Sequence, residues 1–413
     1  MEDANISLKQ LFQQEFAKMV AVISRQFGLQ HIETAEDIVS ETFLTAAESW
    51  SFKGIPQNPV AWLYTVAKQK TLSHFRRNKI LEQKVLPYIK SSQQHYEEAV
   101  LDFSPGNIKD SQLQMMFAVC NPAIASEAQI GLALRILCGF GIDEIAEAFF
   151  SNKETINKRL FRAKEKLRTE NIRMELPPSD EIAQRIDTVL HIIYLLFSEG
   201  YYSKTQNEVL RKDLCLEAMR LALMLTEYDK TDLPKTNALL ALMCFHASRF
   251  DARLRDDDRL VLYDEQDETL WDKELINRGK YFMLKATEGN EITSYHLEAR
   301  IGYWHCVKED SPEKWADIFH TYNRLLEVNY SPGVALSRIY ALYKLEGHEA
   351  AIPAVQALEP HNSLFYFLLL GELYRHEDKG KAIFYLDKAL QLAKTAPERA
   401  EIKRKIAAMQ PEQ

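Results

Sequence analysis

Glycine and proline are scarce in this 413-residue sequence, with 14 of each, and strand-like alternation of polar and apolar residues is rare. Both residues interrupt helices, so their scarcity favours long helical segments. Hydrophobic residues make up 46% of the chain, which is enough for ordinary packed cores, and the length suggests two to four domains. We therefore expect an all-α fold.

Cysteine patterns and long hydrophobic runs are missing as well. No Cys-x-x-Cys pair occurs, and the cysteines lie mostly inside apolar runs, which argues against a disulfide framework or a zinc site. They are Cys120, Cys138, Cys215, Cys244 and Cys306. Apolar stretches such as 238–245 are far shorter than a membrane span, and no signal-peptide pattern is present. These absences predict a cytoplasmic protein with buried thiols and no membrane contact.

Charge is distributed unevenly along the chain, whose formal net charge is −8. Residues 1–174 contain 21 Lys and Arg and 20 Asp and Glu, a net charge of +1, whereas the remaining 239 residues carry a net charge of −9. Because acidic groups repel the phosphate backbone, the C-terminal part is a poor partner for DNA. Its composition indicates protein contact or sensing.

Residues 141–168 predict a short helix, a tight corner and a second, basic helix. The first helix has its apolar face at Ile142, Ile145, Ala146 and Phe149. The second helix has its apolar face at Ile156, Leu160, Ala163 and Leu167. Thr155 or Ser151 is the candidate N-cap of the second helix.

The opposite face of the second helix is basic and rich in hydrogen-bonding groups. It carries Asn157, Lys158, Phe161, Arg162, Glu165 and Arg168. Residues 152–168 include seven Lys or Arg and two Glu, a local net charge of +5 in an acidic chain. Such a face fits a recognition helix in the major groove, where cations neutralise phosphates and polar groups address base edges. The alternative is an ordinary solvated amphipathic helix.

A further amphipathic helix is predicted at 34–50. Its core contacts are predicted to come from Ile38, Phe43, Leu44, Ala47 and Trp50. Its outer face is predicted to carry Asp37, Ser40, Glu41, Thr45 and Glu48. Considered alone, this is an ordinary surface helix.

A loop at 51–59 leads into a helix from 60 to 77, and Pro59 suits the first turn of that helix. Residues 68–84 contain six basic residues and one Glu. Aromatic residues beside a basic helix fit a surface that stacks unpaired bases and holds phosphates. The alternative is that Trp62, Leu63 and Phe75 are core residues.

The order of these motifs resembles the extracytoplasmic-function (ECF) group of sigma-70 family RNA polymerase sigma factors. The resemblance to sigma region 2 rests on Ala35-Glu-Asp-Ile-Val-Ser-Glu-Thr-Phe43, Asn58-Pro-Val-Ala-Trp-Leu63, Val66-Ala67 and Phe75-Arg-Arg77. The resemblance to the helix-turn-helix of sigma region 4 rests on Glu144-Ile-Ala146 and Thr155-Ile-Asn-Lys-Arg-Leu-Phe-Arg-Ala-Lys-Glu-Lys-Leu-Arg168.

The resemblance implies both the partners and the site residues. Asp37 and Glu41 would face core RNA polymerase, whose β′ clamp helices and β subunit are the expected partners, and the loop at 51–58 would face promoter DNA. The residues implied for the −10 element are Asn58, Lys68, Gln69, Ser73, Arg76 and Arg77. The residues implied for the −35 element are Thr155, Asn157, Lys158, Arg159, Phe161, Arg162 and Glu165. The family more often has Asn in place of Gln69 and Asp in place of Ser73, which leaves the −10 sequence preference open.

The predicted domains are region 2 at 1–84, a flexible linker at 85–110, region 4 at 111–174 and a helical extension at 181–413. The linker is rich in Ser, Gln and Glu, and its length lets two modules address promoter elements about two helical turns apart.

The extension resembles that of one sigma subgroup, which carries tetratricopeptide-like helices after region 4. The similar segments are 194–202, 238–253 and 266–271. One repeat is indicated by the order of small and large residues at Leu370, Gly371, Tyr374, Ala382, Leu386 and Ala389. Stacked helix pairs leave a concave surface, so a protein or small-molecule regulator is expected there. The alternative is a non-repeating helical bundle.

No catalytic motif accompanies the possible site residues of the extension, which are Glu199, His246, Asp264, Asp267 and His305. His246 lies on a helix that also carries Arg249 and Arg253. Acidic residues follow at Asp251 and 256–258, so structural ion pairs are the preferred interpretation. We expect no catalysis, no cofactor and no metal.

Three functions fit these features. The first is an alternative sigma factor that directs core polymerase to specific promoters and is regulated through its extension. The second is a helix-turn-helix transcriptional regulator with a helical sensor domain, which needs one DNA-reading unit and usually a dimer. The third is an adaptor that binds RNA or acidic protein. Two basic helices separated by a polar connector favour the sigma factor.

Overall fold

The computed structural model describes residues 8–85, 101–148, 151–201, 211–253, 261, 263–358, 363–393 and 396–409. All regular elements in these ranges are helical, which confirms the all-α prediction. The chain divides into two compact units, Met1–Leu195 and Leu196–Gln413.

The first unit is built from seven α-helices and most of an eighth within the described ranges. They are α1 (Leu8–Phe27), α2 (Ile32–Lys53), α3 (Pro59–Val85), α4 (Pro105–Val119), α5 (Ser126–Leu132), α6 (Ile142–Ala148), α7 (Lys153–Thr169) and α8 (Ser179–Tyr201). A π-helical turn at Ala133–Leu137 follows α5 directly.

Helix α1 is the centre of the first unit, because α2, α3, α4 and the π-helical turn all pack against it. Its side chains at Phe16, Met19 and Val20 are 0% exposed. Apolar residues recur every three or four positions along α1, so one side of the helix is continuously apolar. Burial of one such large side chain stabilises a fold by about 1.5–3 kcal/mol, and α1 therefore anchors the helices around it.

The cap of α7 differs from the sequence prediction. Asn152 is the N-cap, and its Oδ1 accepts a hydrogen bond from the Thr155 backbone N–H at 2.8 Å. The predicted caps Ser151 and Thr155 are therefore wrong, because Asn is at least as effective an N-cap as Ser or Thr and stands one position before the helix. Helix α4 begins at Pro105, inside the stretch predicted as a linker, since Pro suits a first helical turn. Most of that linker, 86–100, lies outside the described residues.

The second unit is a succession of mostly short helices. They are α9 (Lys212–Thr226), α10 (Pro234–Ala247), α11 (Phe250–Arg253), α12 (Lys273–Lys285), α13 (Ser294–Trp304), α14 (Pro312–Val328), α15 (Pro332–Glu346), α16 (His348–Gln356), α17 (Leu364–Leu373), α18 (Lys379–Leu392) and α19 (Ala396–Ala407). Two 3₁₀ turns, Tyr263–Glu265 and Glu268–Leu270, lie between α11 and α12.

Helix α10 is the core of the first half of this unit. It packs against α9, α12 and α13, and residues 238–245 are all buried. Two glycines permit this close approach: a Cβ atom at Gly279 would lie 2.6 Å from Phe245 Cε1, and one at Gly302 would lie 3.3 Å from Phe245 Cβ. The apolar run in the sequence therefore forms a helix that is buried on all sides.

From α14 onward each helix packs mainly against helices that are close to it in sequence. Ala382, Leu386 and Ala389 of α18 are buried against α17 and its neighbours. A Cβ atom at Gly371 would lie 2.8 Å from Leu386 Cγ, so this position accepts only glycine without a shift of the helices. Neighbour-on-neighbour packing of this kind is typical of helical arrays.

The cysteines are free thiols, as the sequence predicts. Four are buried, and Cys306 is partly buried. Burial raises the pKa of Cys120, Cys215 and Cys244 to about 12. These thiols are therefore protonated and pack as small hydrophobic groups.

Candidate nucleic-acid interface

Helix α7 has one buried and one exposed face. Its predicted core residues Ile156, Leu160, Ala163 and Leu167 are each at most 4% exposed. They face α5 and α6, which pack against α7. The predicted core residue Phe149 lies outside the described residues.

The outer face of α7 presents the side chains that the sequence selects for the −35 element. Thr155, Asn157, Lys158, Phe161 and Arg162 are exposed, whereas Arg159 and Glu165 are half-buried. The ring of Phe161 is 58% exposed. This face therefore combines cations, an amide and an apolar group, which are the groups that contact phosphates, base edges and the thymine methyl.

Several cations of α7 pair with nearby glutamates. Lys158 Nζ lies 2.6 Å from Glu154 Oε1. Arg159 Nη2 lies 3.4 Å from Glu127 Oε2. Exposed pairs of this kind contribute only about 0–1 kcal/mol to stability. A phosphate can therefore replace the glutamate partner at little cost.

The residues selected for the −10 element lie along α3 and at its start. Gln69, Ser73, Arg76 and Arg77 are exposed, and Lys68 is half-buried. Asn58 is exposed and caps α3, because its Oδ1 accepts a hydrogen bond from the Ala61 backbone N–H at 3.0 Å. The side chains of the rest of the basic run, 78–84, lie outside the described part of the structure.

The aromatic residues of α3 pack inside the first unit. The Phe75 ring stacks on Phe27 with a centroid distance of 3.8 Å, and the Trp62 ring meets Trp50 edge-on at 5.3 Å. Leu63 is 0% exposed. Leu63 is therefore a core residue, whereas Trp62 and Phe75 are half-buried and pack against other aromatic residues of the first unit.

A different aromatic residue is available for stacking. Phe52 is 92% exposed near the C-terminal end of α2, and Ile55 in the following loop is 53% exposed. Both belong to the stretch 51–58 that the sequence assigns to promoter DNA. Sequence reasoning did not single out Phe52, because hydrophobic periodicity gives no signal for a residue where a helix ends.

The outer face of α2 carries acidic side chains and an exposed leucine. Asp37 and Glu41 are exposed, as expected, and Glu41 Oε2 lies 3.4 Å from Lys70 Nζ of α3. The prediction that Leu44 and Ala47 are core residues is wrong: Leu44 is 63% exposed, and Ala47 is exposed too. Asp37, Glu41 and Leu44 recur at intervals of four and three residues and therefore share one helix face.

Glu36 precedes Asp37 but points to the interior, where it is 5% exposed. Its Oε1 accepts a hydrogen bond from Arg135 Nε at 2.8 Å, and its Oε2 pairs with Lys164 Nζ of α7. Sequence reasoning missed this residue. The available signal was its position on the same helix face as the buried residues Ile32, Val39 and Phe43.

Two of the possible site residues of the extension have surroundings that explain them structurally. Asp267 Oδ1 accepts a hydrogen bond from the Thr269 N–H at 2.9 Å, and this bond lowers the pKa of Asp267. Removal from water, together with the nearby cations Arg249 and Lys314, lowers the pKa of His305 to about 3. A base with so low a pKa is poorly suited to acid–base catalysis at neutral pH.

Asp251, one of the acidic residues expected to form structural ion pairs near Arg249 and Arg253, pairs with Lys212. Both arginines lie over tyrosine rings. The acidic run 256–258 lies outside the described residues. Within the described parts of the chain, no helix combines the length and apolarity needed to cross a membrane.

Comparison with known proteins assigns two segments to families. Residues 12–80, which contain α2 and most of α1 and α3, match Sigma-70 region 2. Residues 185–287 match a family of unknown function, DUF6596. Over 385 residues the chain is 31% identical to an uncharacterised protein of Rhizobium meliloti (strain 1021), and the match covers 91% of this chain and 90% of that protein. No solved structure matches the chain.

The Sigma-70 region 2 match implies binding of core RNA polymerase and promoter DNA. The matched segment contains the acidic face of α2, the exposed Phe52 and the basic residues of α3. The chain therefore belongs to the same family as the Rhizobium meliloti protein, and its region 2 supports the role of a sigma-70 family RNA polymerase sigma factor.

Proposed function

We propose that the chain is an alternative sigma factor of the ECF group. Helix α2 contacts core polymerase, the stretch 51–58 at the end of α2 and before α3 captures the −10 element together with α3, and α6 with α7 forms a helix-turn-helix that reads the −35 element. The observation that carries this proposal beyond region 2 is the exposed basic face of α7, opposite a face that is entirely buried.

At the −35 element, Arg162 and Lys158 are the principal readers of α7. A guanidinium in the major groove makes bidentate hydrogen bonds to guanine, and an ammonium neutralises phosphate. Phe161 lies between them in sequence with its ring exposed, so it offers an apolar contact to a thymine methyl. Asn157 supplies an amide that fits adenine.

At the −10 element, Phe52 and the cations of α3 have complementary tasks. An exposed aromatic ring stacks on an unpaired base, which stabilises single-stranded DNA by about 1–3 kcal/mol per base. Arg76 and Arg77 are exposed on α3 and hold the strand by its phosphates. Asn58 shapes this surface through its cap on α3 as well as through direct contact.

At the polymerase, α2 offers two carboxylates and a leucine on one face. Asp37 and Glu41 pair with cations of the clamp helices, while Leu44 adds apolar area to the contact. The exposed leucine supports an interface, because a surface of pure charge gains little on binding.

The extension regulates the sigma modules through contact with them or with polymerase. Its helices from α14 to α19 pack on their sequence neighbours, which supports a tetratricopeptide-like array with a concave surface for a regulator. The net charge of −9 of residues 175–413 favours a protein surface or a small molecule over DNA as the partner of the extension.

The test of this proposal is assembly followed by transcription. The purified chain is mixed with core RNA polymerase, the complex is isolated by gel filtration, and run-off transcription is measured on genomic fragments. We expect a holoenzyme that initiates at a small set of promoters. Binding of DNA by the chain without polymerase, as a dimer and with no run-off product, would instead support a helix-turn-helix regulator.

The role of the extension is tested by removing it after Tyr201, where α8 ends. A cut after Pro178 would remove α8, whose Arg185 Nη2 donates a hydrogen bond to the Phe117 carbonyl at 2.6 Å within the first unit. We expect the 1–201 fragment to bind DNA through α7 and to lose transcription. Full transcription by this fragment under all conditions would remove the extension from the mechanism.

A further inference from the structure

A buried arginine immediately precedes α11 and has no acidic partner. Arg249 is 6% exposed, and its Nε–H has no hydrogen-bond acceptor. Its guanidinium lies 5.7 Å from the centre of the Tyr263 ring, and it forms no ion pair with any described residue. A charge removed from water is destabilising unless it is paired, and contact with an aromatic ring compensates only part of that cost. The surroundings of Arg249 therefore favour a negatively charged partner.

A second arginine lies one helical turn away. The Arg253 backbone N–H donates a hydrogen bond to the Arg249 carbonyl at 3.1 Å, so the two side chains lie on the same side of this turn. The Arg253 guanidinium lies 4.0 Å from the centre of the Tyr201 ring, and it too lacks an ion pair in the described part of the chain. Asp251 lies between the two arginines in sequence but pairs with Lys212. Two positive charges are thus left without an acidic partner.

Two histidines complete this group of side chains. The His246 ring lies 4.6 Å from the Tyr201 ring, and the His305 ring lies 5.3 Å from the Tyr263 ring. Burial, together with the nearby arginines, lowers the pKa of His246 well below its ordinary value of 6.5. Burial and nearby cations lower the pKa of His305 to about 3. Both histidines are therefore neutral at neutral pH, and the arginines supply the positive charge.

These side chains form what we call the Arg249 site. It consists of Arg249, Arg253, His246, His305, Tyr201 and Tyr263. All except His305 lie in the segment 185–287 that matches the family of unknown function.

Lys314 shows how the same unit satisfies a buried cation that serves the fold. Its Nζ donates hydrogen bonds to the Val307 carbonyl at 2.7 Å and to Tyr263 Oη at 3.0 Å, and it lies 4.0 Å from Asp310 Oδ1. Arg249 also lies near Tyr263, but its Nε–H has no acceptor. A structural role therefore accounts for Lys314 and leaves this donor of Arg249 unexplained.

A second buried donor near Tyr263 also lacks an acceptor. Trp271 is 3% exposed, and its ring centre lies 6.4 Å from that of Tyr263. Its Nε1–H has no hydrogen-bond partner. Buried polar groups are almost always paired with protein, water or a ligand. Because the unpaired groups of Arg249 and Trp271 are both donors, a ligand that carries acceptors would complement them.

We propose that the Arg249 site binds the phosphate group of a small molecule. A phosphate group carries about −1.5 to −2 charges at neutral pH, which matches the two arginines. The planar guanidinium group binds phosphate oxygens through two parallel hydrogen bonds. Arg253, His246 and His305 are half-buried, so the site reaches the surface of the second unit.

This binding requires neither polymerase nor DNA. The identification of the phosphate compound as the small-molecule regulator of the sigma modules rests on the proposed function. The binding site itself rests on the contacts of Arg249 and Arg253 alone.

Thermal unfolding of the full-length chain tests the site. Potassium phosphate replaces potassium chloride at constant pH and ionic strength, and circular dichroism follows unfolding. Phosphate also stabilises proteins in general because it is excluded from their surface, so the saturable part of the response measures binding. We expect a saturable rise in Tm with inorganic phosphate. Succinate, a dicarboxylate, should give no saturable rise under the same conditions.

Two variants each remove one guanidinium. Arg249→Met and Arg253→Gln should each raise the apparent dissociation constant for phosphate at least about tenfold, because a charged hydrogen bond is lost. Arg249→Met should also raise Tm in phosphate-free buffer, since it removes an uncompensated buried charge. The control is Arg278→Gln, because Arg278 is exposed and its Nη2 lies 2.7 Å from Glu274 Oε1. This control should bind phosphate as the wild type does.

The possible failures have different signatures. The site would be overturned by a wild-type response that does not saturate, or by unchanged phosphate binding in the Arg249→Met and Arg253→Gln variants. A purely structural Arg249 would give a lower Tm in Arg249→Met with and without phosphate. A saturable response to succinate as large as that to phosphate would overturn the assignment to phosphate.

Arg253→Gln decides the question if Arg249→Met does not fold, because Arg253 is only half-buried. Failure of the wild-type chain to assemble with core polymerase would overturn the proposed sigma function. The phosphate titration would still stand in that case, because it contains no polymerase.

Discussion

In the first compact unit the cationic side chains of α7 and α3 lie mostly at the surface, whereas in the second unit several cations are buried. Arg162 and Arg76 are exposed on their helices. By contrast, Lys314 is 0% exposed and Arg249 is 6% exposed. The second unit, which has the larger share of the negative charge, is thus the one in which cationic side chains are buried.

Two lysines of the second unit, the buried Lys314 and the half-buried Lys308, donate hydrogen bonds to its backbone. Lys314 Nζ donates hydrogen bonds to the Val307 carbonyl at 2.7 Å and to Tyr263 Oη at 3.0 Å. Lys308 Nζ donates to three backbone carbonyls, including that of Gln266 at 3.0 Å. These bonds satisfy carbonyls in the stretches that connect helices, where no helical partner is available.

The comparison shows that the net charge of a unit does not determine whether its charged side chains are exposed or buried. Exposed cations of the first unit remain available to phosphates, and their glutamate partners contribute little. Buried cations of the second unit already interact with internal hydrogen-bond acceptors and aromatic rings. The contrast predicts that charge changes in the first unit alter binding and that charge changes in the second unit alter stability.

The largest effect is expected from the exposed acids of α2. Asp37→Lys combined with Glu41→Lys should abolish holoenzyme assembly, because the two introduced lysines would repel the clamp-helix cations that we propose as partners of the native carboxylates. The free energy of unfolding should change by less than about 1 kcal/mol. Gel filtration with core polymerase measures assembly, and the exposed pair Glu170→Lys with Glu175→Lys is the control. Assembly equal to that of the control would remove α2 from the interface.

The next effect concerns a buried cation of the second unit. Lys314→Met leaves the Val307 carbonyl without its charged donor and should lower the free energy of unfolding by about 3 kcal/mol. Urea denaturation followed by circular dichroism measures this change. The matched control is Lys403→Met on the exposed side of α19, which should change stability by less than about 0.5 kcal/mol. Similar losses of unfolding free energy in both variants would contradict the proposed difference between buried cations of the second unit and exposed ones.

A smaller effect is expected at the −35 reader. Arg162→Ala should cost about 1–3 kcal/mol of discrimination at one base pair of the −35 element while leaving stability unchanged. Holoenzyme binding to promoters with single base changes measures this loss. Arg173→Ala, an exposed arginine beyond the end of α7, is the control. An unchanged base preference in Arg162→Ala would contradict the proposal that Arg162 contacts a base of the −35 element.

Near neutral pH, the smallest effect is a pH dependence of stability in the second unit. The pKa of His305 in the folded chain is about 3, which is below its ordinary value of 6.5. As the pH falls below about 6.5, the unfolded chain takes up a proton first, so stability is lost between pH 6.5 and pH 3. The slope from this group is at most about 1.4 kcal/mol per pH unit. His305→Asn should flatten it, whereas the exposed control His320→Asn should not.

Much of the first unit follows from sequence periodicity alone. The buried face of α7 and the exposure of Asp37 and Glu41 are correct because a helix of 3.6 residues per turn fixes which residues share a face. The same rule, applied strictly, also places Leu44 beside Asp37 and Glu41. The error at Leu44 came from treating every large apolar residue as core.

By itself the sequence determined the helical fold class, the amphipathic faces and the order of the sigma-like motifs, because these depend on residues within a few positions of one another. Only the tertiary structure decided that Glu36 is buried and paired with cations from a different part of the chain. It also decided that Lys314 is buried, by helices and turns brought together from other parts of the second unit. Burial and ion pairing between distant segments depend on which faces meet in space. The spacing of residues along one helix does not show which helix faces will pack against each other.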